Sequence, residues 1–352
     1  MKGVKRGRQF VQKKGCHFVK GCFFETKEEK VEVDLGKEGL KEALKKMVFI
    51  RHFEQRAESA YQQGHIGGFF HSYIGQEAIQ TAAVLAMGVE ENWWVTTYRC
   101  HALALLCGAS ADAIMAELYG KMTGNAQGRG GSMHLYGDRM LGGFGIVGGH
   151  VPIATGAAFA LKYQNQKGVA VCFLGEGAFV QGAVHESLNL AALWDLPCIY
   201  VIENNQWGMG TAVNRALCQQ PIAHHFAPAY GISSYTLDGK DFIQCYGGFK
   251  HLYEEVKREK RPVLVEVITE RFRGHSISDP ALYRSKERLS QIKEQDPIHY
   301  LRDALFQKKM LTPDEFEEIN QEAKNQILLA MKFAQQSADP ELGTLEEDVF
   351  AP

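Results

Sequence analysis

The stretch Val169-Ala170-Val171-Cys172-Phe173-Leu174 runs straight into Gly175-Glu176-Gly177. A second apolar run, Cys198-Ile199-Tyr200-Val201-Ile202, leads into Glu203-Asn204-Asn205, so that Asn205 stands 29 positions after Glu176. Both runs are continuous rather than alternating, which predicts strands buried on both faces of a parallel sheet. Between them Val180, Val184, Leu188 and Ala191 recur at helical spacing. Together these features predict a β-α-β unit. Its carboxylate and amide sit at the carboxyl ends of strands, where open α/β sheets bind ligands. Such an oxygen pair suits a hard cation such as Mg²⁺, which commonly accompanies phosphates. A helix opening after Gly177 would also aim free N–H groups at a diphosphate.

Composition narrows the field. A chain of 352 residues has room for one large α/β domain or two small ones. With 45% hydrophobic and 23% charged residues it reads as globular, and a formal net charge of −2 gives no reason to expect nucleic acid or a membrane surface as partner. No apolar run approaches about 18 residues, so a transmembrane helix is not expected. Eight scattered cysteines, none in a C-x-x-C pair, predict free thiols in a reducing compartment.

Residues 1–36 read as a basic, poorly ordered tail, with seven Lys and Arg before the first acidic residue, Glu25. The tail lacks the apolar core of a secretory signal, but acid-poor basic starts also mark mitochondrial transit peptides. Helical spacing covers Lys37–Gln63, Glu77–Met87, Ala111–Lys121 and Val151–Gln166, and the chain is helical and charged from about Glu287. Strands are expected at Trp93–Tyr98 and Val263–Ile268. Residues 124–149 are glycine-rich and aperiodic, which marks a functional or disordered loop. Within them Gly143-Phe144-Gly145-Ile146-Val147-Gly148 matches the dinucleotide fingerprint G-x-G-x-x-G. That fingerprint requires a strand directly before it and an acidic residue about 20 positions on. Residues 136–142 do not read as a strand, and position 168 is glycine, so nicotinamide binding is set aside.

The pair Gly175-Glu176-Gly177 and Asn204-Asn205 resembles the thiamine-diphosphate motif, Gly-Asp-Gly followed at similar distance by Asn-Asn. Ser72 to Ala78, Thr97-Tyr98-Arg99, Gly128 to His134, Gly145 to Gly148, Glu203 to Gly210 and Gly274-His275-Ser276-Ile277-Ser278-Asp279-Pro280 extend the likeness, in order, over roughly Lys37 to Pro340. Together they resemble the α subunit of the pyruvate dehydrogenase first component, a thiamine-dependent decarboxylase. The resemblance implies an α/β thiamine-diphosphate-binding fold for residues 37–352, with a mostly parallel central sheet flanked by helices. Glu176, Asn205 and the backbone carbonyl of Trp207 would hold Mg²⁺. The family has aspartate where this chain has Glu176, one methylene longer, and Mg²⁺ demands near-octahedral geometry at about 2.1 Å. A lone Glu176 could instead cap the following helix, and Asn204-Asn205 could simply form a turn.

The same resemblance places Tyr98 and Arg99 on the cofactor diphosphate, with Arg271 on that side. Gly145 and Val147 would hold the aminopyrimidine ring, Met209 would support the bent cofactor, and Gly177 and Ala178 would lie against it. Core filling is the alternative for Met209, and a surface ion pair for Arg99. His71 and His275 are the candidates for catalytic work near the reacting carbon, since histidine titrates near neutral pH. Ser276 matches a position that a regulatory kinase phosphorylates in some members. The family's cofactor-activating glutamate lies on a separate β subunit, so the resemblance implies two α and two β chains. It implies pyruvate as substrate and a lipoyl domain of the acyltransferase component as acceptor. A branched-chain 2-oxoacid or acetoin dehydrogenase is the nearest alternative, and a non-catalytic paralogue a further one. Bacterial cytoplasm is the expected location, with a mitochondrial or plastid matrix second.

Overall fold

The computed structural model describes residues 35–347. Residues 1–34 of the expected tail, with Cys16 and Cys22, lie outside the described residues, and Gly36 already opens the first helix. The chain begins with helices α1 (Gly36–Gln62) and α2 (Glu77–Met87), strand β1 (Trp93–Thr97), helices α3 (His101–Leu106) and α4 (Ala111–Leu118), then β2 (Met140–Phe144) and α5 (Val151–Tyr163). Strand β3 (Ala170–Gly175), the one-turn α6 (Glu176–Phe179), α7 (Gly182–Leu193) and β4 (Cys198–Asn204) form the predicted β-α-β unit. A small hairpin, β5 (Trp207–Gly208) and β6 (Thr211–Ala212), is followed by α8 (Val213–Ala216), α9 (Ile222–Phe226), β7 (Ser233–Asp238), α10 (Phe242–Glu259) and β8 (Val263–Ile268). Helices α11 (Lys286–Glu294), α12 (Pro297–Gln307) and α13 (Pro313–Gln336) complete the chain.

Six strands make one sheet in the order β2-β1-β3-β4-β8-β7, and every neighbouring pair is parallel. Alternation along the strands feeds two cores. Val171, Phe173, Ile199 and Val201 face the layer of α1, α2, α10 and α13, while Cys172, Leu174, Tyr200 and Ile202 face α5 and α7. Burial on both faces is why these strands are apolar throughout. Caps set several helix starts. Ser110 and Asp241 each accept a backbone N–H, and Thr312 with Glu315 forms a capping box over Pro313.

Three readings of the sequence need correction. Residues 136–142 include the start of β2, a true edge strand whose Gly142 and Gly143 conceal it from pattern reading. The fingerprint nonetheless lacks its acidic residue, since position 168 remains glycine. Val180 is largely exposed and precedes α7, which begins only at Gly182, so only Val184, Leu188 and Ala191 form the buried stripe. The helix directly after Gly175 is a single turn, too short to offer a developed dipole to an anion. Among the described residues, Cys100, Cys107, Cys172, Cys198, Cys218 and Cys245 are free, and no helix is long and apolar enough to cross a membrane.

One buried ion network ties the amino-terminal helices to the carboxyl-terminal ones. Arg51 on α1 donates to Glu77 of α2 at 3.0 Å and to Asp296, the cap of α12, at 2.7 and 3.1 Å. Glu77 is fully buried, and burial pushes its carboxyl up while Arg51 pulls it down. Replacing Arg51 by alanine strands that charge, at a cost of about 3–5 kcal/mol at neutral pH. In the variant, folding raises the Glu77 pKa above its unfolded value, so stability returns as pH falls. Urea denaturation of R51A at several pH values checks both the size and the sign.

Candidate active site

The switch point of the sheet lies between β1 and β3, where the chain turns from building outward to β2 to building toward β4. Ligands bind in the crevice that opens beyond such a point. Here it is a cleft of about 710 Å³, walled by the carboxyl ends of β1, β3 and β4, the segment after β2 and the loop after β8. The structure brings every sequence-predicted site residue to this one cleft. His71, Tyr98, Arg99, Gly145, Val147, Glu176, Gly177, Ala178, Asn205, Trp207, Met209, Arg271, His275 and Ser276 all line it.

Its charge distribution is unusual. Arg99 and Arg271 are buried, and neither pairs with a carboxylate among the described residues. Arg99 donates to the carbonyls of Ser72 at 2.8 Å and His275 at 2.5 Å. Arg271 reaches the carbonyls of Trp207 and Met209 at 3.4 and 3.3 Å, and its Nε has no partner. Burial, reinforced by Arg271, lowers the Arg99 pKa to about 10. The surface ion pair weighed for Arg99 is therefore excluded. Buried cations without counterions are costly unless a ligand compensates them.

Glu176 faces the same space. Its side chain is 2% exposed, and Oε1 has no hydrogen-bond partner. It does not cap the helix, whose N-cap is Gly175. Burial raises its pKa, against contributions from backbone groups, Arg271 and Arg99. Asn205 donates through Nδ2 to Gln76 at 3.2 Å, which leaves Oδ1 with only a long 3.3 Å bond from the Trp207 N–H. Asn204 is the structural member of the pair. It donates to Glu266 at 2.7 Å and accepts from Gln206 at 3.0 Å, closing the turn after β4. Gln206 and Met209 adopt φ of 71° and 56°, strained for non-glycine residues. Met209 is 64% exposed at the cleft, so core filling does not explain it.

His71, Tyr98 and His275 cluster, with ring centroids 4.3 Å apart for His71–Tyr98 and 5.0 Å for His71–His275. Asp279 braces this loop by accepting from the His275 N–H at 2.6 Å and the Tyr283 hydroxyl at 2.7 Å. Neither histidine keeps a near-neutral pKa. Burial, aided by Arg99, lowers His71 to about 3 and His275 to about 4. Both rings are neutral at pH 7 and can act as hydrogen-bond partners rather than cations.

Among the lining residues to which the sequence assigned no role are Gln76 and Glu203. Gln76 is 1% exposed and orients the Asn205 amide. Glu203 is buried and accepts from the Tyr73 hydroxyl, and from Gln80 at 3.4 Å. Burial pushes Glu203 up to about 7, while Tyr73 and Arg99 oppose it. No spacing rule flags either one. Position next to a recognised motif residue was the only available signal.

Residues 45–342 match the family described as "Dehydrogenase E1 component". "Pyruvate dehydrogenase E1 component subunit alpha" of Rickettsia felis is 42% identical over 316 residues, covering 89% of this chain and 96% of the relative. The protein of that name from Rhizobium meliloti is 40% identical over 90% of this chain and 91% of its own. "Pyruvate dehydrogenase E1 component subunit alpha type I, mitochondrial" of Ascaris suum is 36% identical over 91% and 80%.

The histidine shifts carry a pH prediction. Below pH 6.5 the unfolded chain binds protons that folded His71 and His275 refuse, so their contribution to stability falls as pH drops toward 4 and then 3. NMR of the ring carbons should show no titration of either side chain between pH 5.5 and 8. A ring that titrates near 6.5 would contradict the geometry.

Proposed function

The chain belongs to the dehydrogenase E1 component family, and from that premise we propose that it is the α subunit of a pyruvate dehydrogenase first component. The reaction is oxidative decarboxylation of pyruvate with acetyl transfer to the lipoyl group of an acyltransferase component. The observation that carries this reading is the cleft itself. Two buried arginines without carboxylate partners and a buried carboxylate oxygen without a donor surround one space at the switch point. That arrangement fits a polyanion together with a cation, as magnesium diphosphate supplies.

Glu176, Asn205 and the Trp207 carbonyl form the oxygen set that would hold Mg²⁺, a donor set suited to a hard ion. Arg99, Tyr98 and Arg271 would hold the diphosphate, Arg99 and Arg271 as planar forks of donors. Gly145 and Val147 would contact the aminopyrimidine, with Met209 beneath. When bound, thiamine diphosphate supplies the electron sink for decarboxylation. The protein's own part is to keep His71 and His275 neutral beside the substrate, where they donate or accept hydrogen bonds. Arg99 and Arg271, both buried, meet the charged end of the cleft with little of their own hydration.

The β subunit completes the assembly as two α and two β chains. Bacterial relatives such as the Rickettsia and Rhizobium proteins support a bacterial cytoplasmic location. Pyruvate is preferred over branched-chain 2-oxoacids on the strength of the Gly274 to Pro280 segment.

Co-expression with the candidate β subunit allows a direct test. Pyruvate-dependent reduction of an artificial electron acceptor should require both chains, thiamine diphosphate and Mg²⁺. The kcat/KM for pyruvate should exceed that for 3-methyl-2-oxobutanoate, and the reverse order would make this a branched-chain enzyme. Glu176→Ala should abolish cofactor binding, whereas Glu176→Asp should keep or improve it. Unchanged thiamine diphosphate affinity in the alanine variant would remove Glu176 from the metal site.

A further inference from the structure

The glycine-rich segment 124–134 has little regular structure, yet it walls the cleft through Met133. One buried side chain outside the cleft gathers four of its backbone N–H groups. Glu117, near the end of α4, is 0% exposed. Its Oε2 accepts the backbone N–H groups of Ala126 at 2.8 Å and Gly128 at 2.9 Å. Its Oε1 accepts those of Gly130 at 2.6 Å and Gly131 at 3.1 Å. The loop is thus wrapped around an internal anion, as backbone N–H groups elsewhere wrap a bound one.

Two of the glycines follow from the close fit of the loop around this contact. A Cβ at Gly124 would lie 2.3 Å from Glu117 Oε2, and one at Gly130 would lie 2.4 Å from the His134 carbonyl and 3.3 Å from Glu117 Oε1. The loop then hands its position on. The Gly143 N–H donates to the Leu135 carbonyl at 3.0 Å, and His134 Nδ1 contacts the Gly143 carbonyl at 3.0 Å. The His134 ring also packs on Gly145, whose Cβ would stand 3.4 Å from it. A second buried constellation clamps the same segment, because His101 bridges Ser132 Oγ at 2.8 Å to Glu54 at 3.0 Å.

We propose that Glu117 is a positioning residue for the active site: its carboxylate templates segment 124–134, and through His134 and Leu135 it sets the 143–147 wall of the cleft. Its effect on cofactor rests on the reading of that cleft under Proposed function, whereas its effect on the backbone does not. Glutamine at 117 has the same shape but only one acceptor oxygen, and its amide NH₂ would face N–H donors.

The test uses the assembled α–β protein. Hydrogen–deuterium exchange of peptides covering 124–134 and 143–147 is compared between wild type and Glu117→Gln, with thiamine diphosphate affinity measured in parallel. We expect exchange in both segments to quicken by about tenfold or more, exchange in β3 and β4 to stay unchanged, and cofactor affinity to fall at least fivefold. Should Glu117→Gln fail to fold, Glu117→Asp keeps both acceptor oxygens but withdraws them by one methylene from the four N–H groups, and the same pattern is expected. Faster exchange confined to 124–134, no change in either segment, or unaltered cofactor affinity when both loosen would overturn the proposal. A wild-type assembly that binds no thiamine diphosphate would refute the cofactor reading instead, and the exchange pattern would still decide whether Glu117 sets the wall.

Discussion

Two guanidinium groups buried without counterions, Arg99 at the end of β1 and Arg271 in the loop after β8, are the constraint on which the rest of the site depends. Folding strips both of water and returns only uncharged partners: carbonyls for Arg99 and, at 3.3 Å or more for Arg271, two carbonyls, the Tyr283 hydroxyl and the His275 ring. The surrounding structure must hold them there, and it does so with a fully parallel sheet whose strand ends converge at a switch point. The energy that buries them comes from the continuous apolar strands β3 and β4, packed on both faces. Function and fold are thereby linked: the strands that stabilise the chain are those that deliver Glu176, Glu203 and Asn205 to the same space.

Around that centre the irregular segments are held by side-chain polar groups rather than by regular structure. Asp279 fixes the loop that carries His275, Gln76 fixes the Asn205 amide, and Glu117 gathers the glycine-rich segment. Each of these side chains satisfies backbone or amide groups that would otherwise be stranded away from water. Against that background His71 Nδ1, Glu176 Oε1 and Arg271 Nε stand out, because they line the cleft and are buried without a partner.

Much of this was legible from residues alone. The β-α-β unit declared itself because β3 and the first five residues of β4 form continuous apolar runs, and α2 and β8 matched their expected bounds. The motif residues proved to share one cleft. Other parts were hidden for physical reasons. Strand β2 lies at an edge and contains Gly142 and Gly143, so neither alternation nor β-propensity marks it. Strand β7, the other edge, is polar and only half-buried, and α10 carries Gly247-Gly248 in its middle; both went unassigned. The neutral state of His71 and His275 could not be read either, because it arises first from burial and then from Arg99, which is distant in sequence from both. Glu117 left only the glycines of its loop as a trace, and those are equally consistent with disorder.

The central claim is that the cleft recognises a diphosphate through its uncompensated arginines. Calorimetric titration of the α–β assembly with thiamine diphosphate and with thiamine, both in the presence of Mg²⁺, tests it most directly. Two charge-assisted contacts predict that the diphosphate form binds tighter by roughly a hundredfold or more. Equal affinity for the two compounds would contradict the account, because the buried charges would then have no ligand to answer them.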